Sequence, residues 1–278
     1  MSKPIWTEAR IARLLDEGRG DGVGADYKPF IEISDLSSQG VSRRILGRKT
    51  GRVHHLLSNV EYQFFLMLEW SNDVIDIREQ YPLPRKLTQA IASERKLSHP
   101  YYPGTQVPTV ITIDTVATRL IDGQEVQQAF DIKRTEEAEN FRSVEKLEIT
   151  RAACELLGIS HHLVFHSLLP HTKIKNIEWI LSARSSDDEE TAKSREKEHS
   201  ARLLNYLSRQ PQEKTLRQCC DAYDVQLGLA PGSALGFARS LMQERALAPN
   251  LANPDLVNAP LNEFQFHAQL GRLRAVGE

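Results

Sequence analysis

The sequence predicts a mixed α/β fold followed by a mainly helical carboxy-terminal domain. Residues 109–133 contain two runs rich in β-branched and aromatic side chains on either side of Asp122-Gly123, a dipeptide that favours a two-residue type I′ hairpin turn. Before and after this hairpin, segments with helical spacing alternate with segments typical of strands. The resulting order is helix, three strands, helix, strand. After residue 200 the predicted elements are helices and short apolar pieces.

Composition and charge narrow the class of protein. The chain has 278 residues, 40% hydrophobic and 26% charged, with a net charge of −2, which argues against a wholly basic nucleic-acid binder. We expect a cytoplasmic protein, because no apolar run approaches membrane-spanning length and the amino terminus lacks a signal-peptide pattern. The cysteines form no C-x-x-C pair, so we expect buried or inert thiols rather than a zinc site or a disulfide framework; they are Cys154, Cys219 and Cys220.

A basic arm follows the first predicted helix, which spans residues 6–17. Residues 36–60 contain no acidic residue, and Gly47 and Gly51 predict turns between short extended pieces. We interpret this arm as a segment that presents cations to a DNA phosphate backbone, with a solvated loop as the alternative. The predicted DNA-binding residues are Arg43, Arg44, Arg48, Lys49 and Arg52.

Glu61 lies at the start of the next predicted helix, residues 58–70. Ser58 and Glu61 fit a capping box, in which the glutamate reaches back to the backbone of the cap residue. The same position in a buried helix also lets Glu61 project toward the hairpin and supply a third carboxylate. Sequence spacing does not choose between these two roles.

The other amino-terminal elements are predicted from periodicity and flanking residues. Residues 73–83 alternate apolar and charged side chains as in a strand. Residues 83–108 are rich in proline and polar side chains, which predicts a long surface excursion. After the hairpin we expect a helix, a strand and a second helix, at residues 136–157, 161–166 and 174–183.

The hairpin brings charged residues together on one face of the sheet. The two-residue turn fixes a register in which Asp114 lies opposite Asp131, and alternation puts Lys133 on the same face. The other face is apolar, with Ile111, Ile113, Phe130 and Ile132. Because opposed like charges destabilise a sheet, we expect a divalent cation held by both carboxylates, which with the lysine would form a hydrolytic centre. The alternative is a solvated hairpin face with ordinary surface charges.

The carboxy-terminal region is predicted to be a separate domain behind a charged segment. Residues 185–200 contain almost no apolar side chains, which indicates a linker or an exposed helix start. Three helices and a wing-like segment follow in the order of a winged helix, at residues 201–208, 213–223, 232–245 and 248–261. The third helix has only Arg239 and Arg245 as cations, which favours protein docking or weak DNA binding. The tail is a candidate partner-binding segment with Phe264, Phe266, Leu270 and Leu273.

This order of elements and the hairpin residues resemble a known nuclease core. Asp114 followed by Asp131-Ile132-Lys133 is similar to the Asp and Asp/Glu-x-Lys signature of type II restriction enzymes and Holliday-junction resolvases, a motif of weak specificity. Longer and more specific strings resemble the TnsA family, the endonuclease subunits of heteromeric cut-and-paste transposases. They are E-G-R-G-D-G-V-G-A-D-Y-K-P-F, T-G-R-V-H-H-L-L-S-N-V-E, L-E-W, V-I-D-I-R-E-Q-Y-P-L and N-I-E-W-I-L-S, between residues 17 and 182.

The resemblance implies a fold and a set of site residues. The fold is a restriction-endonuclease-like αβββαβ core with a carboxy-terminal winged-helix-like domain. The divisions are a catalytic domain with its basic arm, a charged linker, and a winged-helix-like domain with a partner-binding tail, at residues 1–184, 185–200 and 201–278. The implied catalytic residues are Glu61, Asp114, Asp131 and Lys133. A family member has Gln where Asp131 stands, so this chain is closer there to the restriction-enzyme pattern.

The resemblance also implies a Mg²⁺-dependent DNA endonuclease, with Mn²⁺ as a substitute ion. Hard oxygen donors suit these ions, and the implied ligands are Glu61, Asp114, Asp131 and the backbone carbonyl of Ile132. A water molecule oriented by Lys133 would attack the scissile phosphorus. The products would carry 5′-phosphate and 3′-hydroxyl ends.

The implied biological role is cleavage of the non-transferred strand at the 5′ ends of a transposon. The implied partners are double-stranded DNA at those ends, a DDE-type transposase subunit (TnsB), and an ATP-dependent regulator (TnsC) that binds the carboxy-terminal region. Two alternatives stay open: a stand-alone restriction- or resolvase-like endonuclease, and a catalytically idle DNA-binding scaffold.

Overall fold

A computed structural model describes residues 5–35, 41–133, 140–182 and 190–267. The chain forms two compact units, Met1–Leu169 and Pro170–Glu278. The sequence predicts a catalytic domain that ends at residue 184, whereas the helix that follows Pro170 packs within the second unit.

The first unit contains the predicted succession of helix, three strands, helix and strand. Its elements are α1 (Glu8–Asp16), β1 (Arg43–Leu46), β2 (Val53–Leu56), α2 (Asn59–Trp70), β3 (Val74–Pro82), α3 (Arg85–Glu94), β4 (Thr112–Ile121), β5 (Gln124–Lys133), α4 (Phe141–Leu156) and β6 (Ser160–Phe165). The main sheet has the order β3-β4-β5-β6. Its first three strands are antiparallel, and β6 pairs with β5 in parallel through the α4 crossover.

The turn between β4 and β5 has the predicted type I′ geometry. Asp122 and Gly123 both have positive φ, at 50° and 79°, as that turn type requires. The register pairs Ile121 with Gln124 and continues to Thr115 opposite Phe130. The hairpin and its register are therefore confirmed.

Helices cover both faces of the sheet. On one face, α3 and α4 pack on β4 and β5 in a cluster that includes Val116, Ala129 and Ile149. Phe130 points to the opposite face, where its ring lies 4.9 Å from that of Phe64 on α2. Each fully buried aliphatic side chain contributes about 1.5–3 kcal/mol of transfer free energy, so this two-sided core holds the hairpin rigidly. The solvated hairpin face is excluded.

The prediction of a long surface excursion over residues 83–108 is wrong in its first half. Residues 85–94 form α3, in which Thr88, Ile91 and Ala92 are buried. These three positions lie on one helical face, and they join the core on the α4 side of the sheet. The prolines that suggested a loop lie before and after this helix, at Pro84 and Pro100.

The helix after the hairpin begins and ends as local chemistry dictates. The side chain of Asn140 caps α4 by accepting a hydrogen bond from the Arg142 amide. Gly158, with φ of 71°, lies just past its end, in the left-handed conformation that favours glycine. The predicted start at residue 136 lies outside the described residues.

The second unit is mainly helical. It contains α5 (His171–Leu181), α6 (Glu190–Leu207), α7 (Leu216–Leu227), α8 (Ser233–Gln243), β7 (Leu247–Pro249) and β8 (Phe264–Phe266). Strands β7 and β8 form a two-stranded antiparallel sheet after the helices. Asn176 on α5 donates two hydrogen bonds to the backbone carbonyls of Leu251 and Asn253, at 2.9 and 2.7 Å. This explains why α5 belongs here.

The charged segment, predicted to be a linker or an exposed helix start, is helical from residue 190 onwards. Helix α6 runs through residues 190–200, and Ser200 is buried; residues 185–189 lie outside the described part. Phe264 is only 4% exposed and pairs within the small sheet, so it is a core residue rather than part of a partner-binding tail. Leu270 and Leu273 lie outside the described residues. None of the described helices is long and apolar enough to cross a membrane.

Candidate nuclease site

Two aspartates and a lysine meet at the end of the β4–β5 hairpin. One carboxylate oxygen of Asp114 accepts a hydrogen bond from the Ile132 amide at 2.8 Å, and the Lys133 ammonium lies 3.3 Å from the same oxygen. Burial raises the pKa of Asp114, although the positive charge of Lys133 opposes this. The predicted grouping of these side chains on one face is confirmed.

Asp131 is held from the neighbouring strand. It is 1% exposed, and its Oδ2 lies 2.8 Å from Nε2 of His161 on β6. Burial alone would raise the pKa of Asp131, but the hydrogen bond with His161 and the nearby charges of Lys146 and Lys133 outweigh burial and lower it. Its other oxygen, Oδ1, is buried without a hydrogen-bond partner in the described structure. Because a buried carboxylate oxygen without a partner is costly, this atom marks a place for a ligand.

Sequence reasoning identified His161 only as part of a strand. Two consecutive histidines follow Ser160 at the start of β6, and only the parallel register shows which of them faces Asp131: Ala129 pairs with His161 and Asp131 with Leu163. Strand periodicity could have placed one histidine on the acidic face, but the sequence gives no register for a strand reached by a crossover.

Glu61 takes part in the cap of α2, through contacts that differ from the predicted bond to the Ser58 backbone. Its amide donates to the Ser58 hydroxyl at 3.1 Å, and its carboxylate accepts from that hydroxyl and from the Leu57 amide, so it caps α2. Burial and the negative charge of Asp114 raise its pKa to about 7, against the two cap hydrogen bonds and the charge of Lys133. Glu61 therefore lies within electrostatic reach of the hairpin carboxylate.

A cavity of about 210 Å³ opens beside the end of β5. Its lining residues are Asp131, Lys133, Ser143, Lys146 and Leu147. The last three lie on the first two turns of α4, so the helix that covers this face of the sheet also forms one wall of the site.

The site residues fit a hard divalent cation by their chemistry. Three carboxylates supply oxygen donors, and the partnerless Oδ1 of Asp131 needs a positive neighbour. Within the described residues, however, no three acidic, histidine or cysteine side chains already form a closed ligand group. Both carboxylate oxygens of Glu61 accept hydrogen bonds at the start of α2. A carboxylate oxygen has a further lone pair, so Glu61 can hold those donors and a cation together.

The basic arm forms a β-hairpin rather than an irregular loop. Strands β1 and β2 are antiparallel, and Gly51 adopts a φ of 70° in the connecting turn. Arg44 and Arg48 are exposed. Arg43 lies over the Tyr62 ring at 4.1 Å, and Lys49 donates to the Val74 carbonyl at 2.7 Å. The arm therefore presents Arg44 and Arg48 at the surface, while Arg43 and Lys49 help to anchor it.

Arg52 is the exception among the predicted DNA-binding residues. It is 8% exposed, and its guanidinium donates to both carboxylate oxygens of Glu79 on β3, at 2.8 and 2.6 Å. Nδ1 of His54 lies 2.7 Å from the same carboxylate. Burial would raise the pKa of Glu79, but the hydrogen bonds from Arg52 and His54 lower it to about 2. The sequence predicts that Arg52 contacts DNA, whereas the structure buries its guanidinium against Glu79, where it fixes the arm to the sheet.

The cation of α8 is also engaged within its own unit. Arg239 donates to the Ser182 hydroxyl at 2.8 Å and stacks 5.1 Å from the Trp179 ring. Arg245 lies just past the end of α8 and is partly buried, which lowers its pKa. These contacts agree with the expectation that α8 is a poor phosphate-binding helix. The three cysteines are buried, as predicted.

Comparison with known proteins identifies the family. Residues 71–166 match the family model "TnsA-like endonuclease N terminal", and residues 169–251 match "TnsA endonuclease C terminal". The chain is also 34% identical over 242 residues to the transposon Tn7 transposition protein TnsA of Escherichia coli, covering 85% of this chain and 84% of that protein. The chain belongs to the TnsA family.

Membership of the TnsA family confirms the resemblance on which the predicted endonuclease class rests. The amino-terminal TnsA match includes the carboxylates and lysine of the hairpin together with His161, whereas Glu61 precedes it. The two TnsA matches meet near Leu169, where the structure divides the chain.

Proposed function

We propose that this TnsA-family protein is a divalent-metal-dependent endonuclease that cuts DNA at transposon ends. The observation that carries the proposal is the arrangement at the end of the hairpin. Asp114 and Asp131 lie beside Lys133, and a buried Asp131 oxygen lacks a partner in the described structure. Family membership supports endonuclease chemistry, and the carboxylates supply the donor set that Mg²⁺ or Mn²⁺ prefers.

The side chains divide the work in this proposal. Glu61, Asp114, Asp131 and the carbonyl of Ile132 would hold the ion, which when bound supplies Lewis-acid stabilisation of charge on the phosphate. The Ile132 amide fixes the orientation of Asp114, and His161 fixes that of Asp131. The Lys133 ammonium, held near Asp114, orients the attacking water and the scissile phosphate. Attack on phosphorus breaks the P–O3′ bond and leaves 5′-phosphate and 3′-hydroxyl ends.

Strand choice and partners extend the proposal beyond the site. We propose that the protein cuts the non-transferred strand at the 5′ ends of the element and that a DDE-type transposase (TnsB) acts on the other strand. The relative in Escherichia coli is described as a Tn7 transposition protein, which supports a role in transposition. The exposed cations of the β1–β2 arm, Arg44 and Arg48, would contact DNA phosphates.

The second unit is proposed to recruit rather than to cut. Its helices followed by a two-stranded sheet have the order of a winged-helix domain, and Arg239, the cation of α8, makes its contacts within the unit. We therefore propose that it docks an ATP-dependent regulator (TnsC) instead of reading DNA.

A nicking assay tests the proposed function. Purified protein is incubated with labelled duplex that contains a transposon end, with Mg²⁺, with Mn²⁺ or with EDTA, and with or without the partner transposase. We expect metal-dependent nicks on one strand, with 5′-phosphate ends. Metal-independent cleavage, or no cleavage under any condition with the partner present, would refute the proposal.

A further inference from the structure

A second lysine faces the site from α4. Lys146 lines the cavity of about 210 Å³ together with Asp131 and Lys133. It lies on the second turn of α4, and Ser143, three residues earlier, lines the same cavity. Residues three apart on a helix are neighbours on its surface, so a hydroxyl and an ammonium occupy one wall.

The two lysines of the cavity differ in what they contact. The Lys133 ammonium lies 3.3 Å from the Asp114 carboxylate. Within the described part of the chain, no hydrogen bond or ion pair engages the ammonium of Lys146. Its charge nonetheless acts to lower the pKa of both aspartates: burial prevails and raises the pKa of Asp114, whereas the pKa of Asp131 is lowered overall. Lys146 is thus near the carboxylates, and its ammonium stays available to an anion in the cavity.

We propose that Lys146, with the Ser143 hydroxyl, holds a DNA backbone phosphate next to the one that is cleaved. This inference rests on the proposed function, because it assigns a place to the same DNA strand. Lysine is a common phosphate binder as a flexible point charge. The cavity is large enough for a phosphate group with hydration water, since one water molecule takes about 30 Å³ in the liquid.

Charge balance favours this assignment. Three carboxylates beside Lys133 give the site an excess of negative charge, which repels DNA until cations offset it. A divalent ion offsets the carboxylates, and Lys146 then supplies the positive charge for a neighbouring phosphate. Lys133 on β5 and Lys146 on α4 line the same cavity, so one strand can present its scissile phosphate to the first lysine and a neighbouring phosphate to the second.

The first arm of the test measures the salt dependence of DNA binding. Ca²⁺ replaces Mg²⁺ so that the DNA stays intact, which a gel verifies. Binding of a labelled duplex is compared for the wild type, Lys146→Met, Lys146→Arg and Lys86→Met. Lys86 is an exposed lysine on α3 of the same unit outside the cavity, so Lys86→Met controls for the loss of one positive charge.

The expected result is a loss of one phosphate contact in Lys146→Met. The slope of log K against log salt should become shallower by about 0.9, and affinity at physiological salt should fall roughly 5- to 10-fold. Lys146→Arg should restore both, and Lys86→Met should match the wild type. Thermal unfolding of Lys146→Met should equal that of the wild type, because the side chain is only partly buried.

The second arm locates the phosphate. Duplexes that contain a transposon end carry a single neutral methylphosphonate at successive positions around the cut. One position should weaken wild-type binding but leave Lys146→Met unaffected, since the contact is already lost.

Each outcome decides the inference. If the wild type nicks end DNA while Lys146→Met keeps the wild-type salt slope and methylphosphonate pattern, Lys146 only screens Asp131 and the inference is wrong while the proposed function stands. If the wild type neither nicks nor binds the DNA, both fail together.

Discussion

Arg52→Met tests whether the basic arm is anchored by its buried arginine. Arg52 and Glu79 are 8% and 0% exposed and share two short hydrogen bonds. Methionine keeps much of the aliphatic volume but removes every donor. The Glu79 carboxylate would then stay buried with only His54 and the His55 amide to satisfy it. We expect a large loss of stability in the first unit and detachment of the β1–β2 arm from β3.

The size of the expected stability loss follows from the pKa of the Glu79 carboxylate. The fall in the Glu79 pKa from its ordinary value of 4.5 to about 2 corresponds to about 3 kcal/mol of differential stabilisation of the charged form. Removing one partner of a buried ion pair costs about 3–5 kcal/mol in other proteins. Arg52→Met should therefore lower the free energy of unfolding by about 3 kcal/mol.

The sign of the pH dependence follows from the same shift. The folded-state pKa of Glu79 is lowered, so its contribution is present above pH 4.5 and is lost as the pH falls toward 2. The wild type should lose up to about 3 kcal/mol across that window. Arg52→Met should lose much less, since it lacks the pair from the start.

Hydrogen exchange across a urea series provides the assay, because peptides from β3 report the first unit separately from the second. Arg44→Met is the matched control, an exposed arginine on the same hairpin. Glu79→Gln combined with Arg52→Met completes a double-mutant cycle. Equal, small losses in Arg52→Met and Arg44→Met, or additive losses in the cycle, would refute the anchoring role.

Three further predictions concern the site and the division of the chain. Asp114→Asn should reduce nicking by at least about 100-fold. Its thermal stability should be unchanged, because the amide oxygen can still accept a hydrogen bond from the Ile132 amide. If this variant nicks DNA at the wild-type rate, Asp114 is not a residue of the site. The pKa of Glu61 in the folded state is raised to about 7, so in EDTA the wild type should become less stable as pH rises from 4.5 to 7. Glu61→Gln should lack this pH dependence and should gain no stability from added Mg²⁺. Identical pH profiles of the two proteins in urea denaturation would contradict this. Separation of the chain after Leu169 should give two fragments with cooperative unfolding by circular dichroism, whereas a fragment that begins at residue 201 should not fold, because it lacks α5 and most of α6.

The hairpin was predictable because its determinants are local. Asp122-Gly123 specifies the turn, and strict alternation carries the register down to Asp114 and Asp131, eight residues on either side of the turn. Glu61 was placed at the first turn of α2 by its cap sequence, and its reach toward the hairpin came from the family resemblance rather than from spacing.

The parts that sequence reasoning missed depend on distant partners. In the sequence, Arg52 does not differ from the other cations of the arm. Its partner Glu79 lies 27 positions later and contacts it only because β2 packs on β3. The composition of residues 83–108 suggests a loop, because composition counts the prolines and ignores where they lie. Pro84 precedes α3 and Pro100 follows it, so neither interrupts the helix. The part that α4 plays in the cavity wall was missed, because a helix that covers a sheet usually contributes apolar side chains to it. Lys146 lies at the edge of the α4 face that packs on the sheet.

The parallel strand β6 has a consequence for synthesis of the protein in the cell. His161 fixes Asp131, so the carboxylate is aligned only after the chain has crossed over through α4 and added the last strand. Domains fold as units as the chain emerges from the ribosome, and a nascent chain that stops before β6 has the acidic residues without this alignment. Under the proposed function, unfinished chains would lack the aligned carboxylate, because the proposed site is completed by the final strand of its sheet.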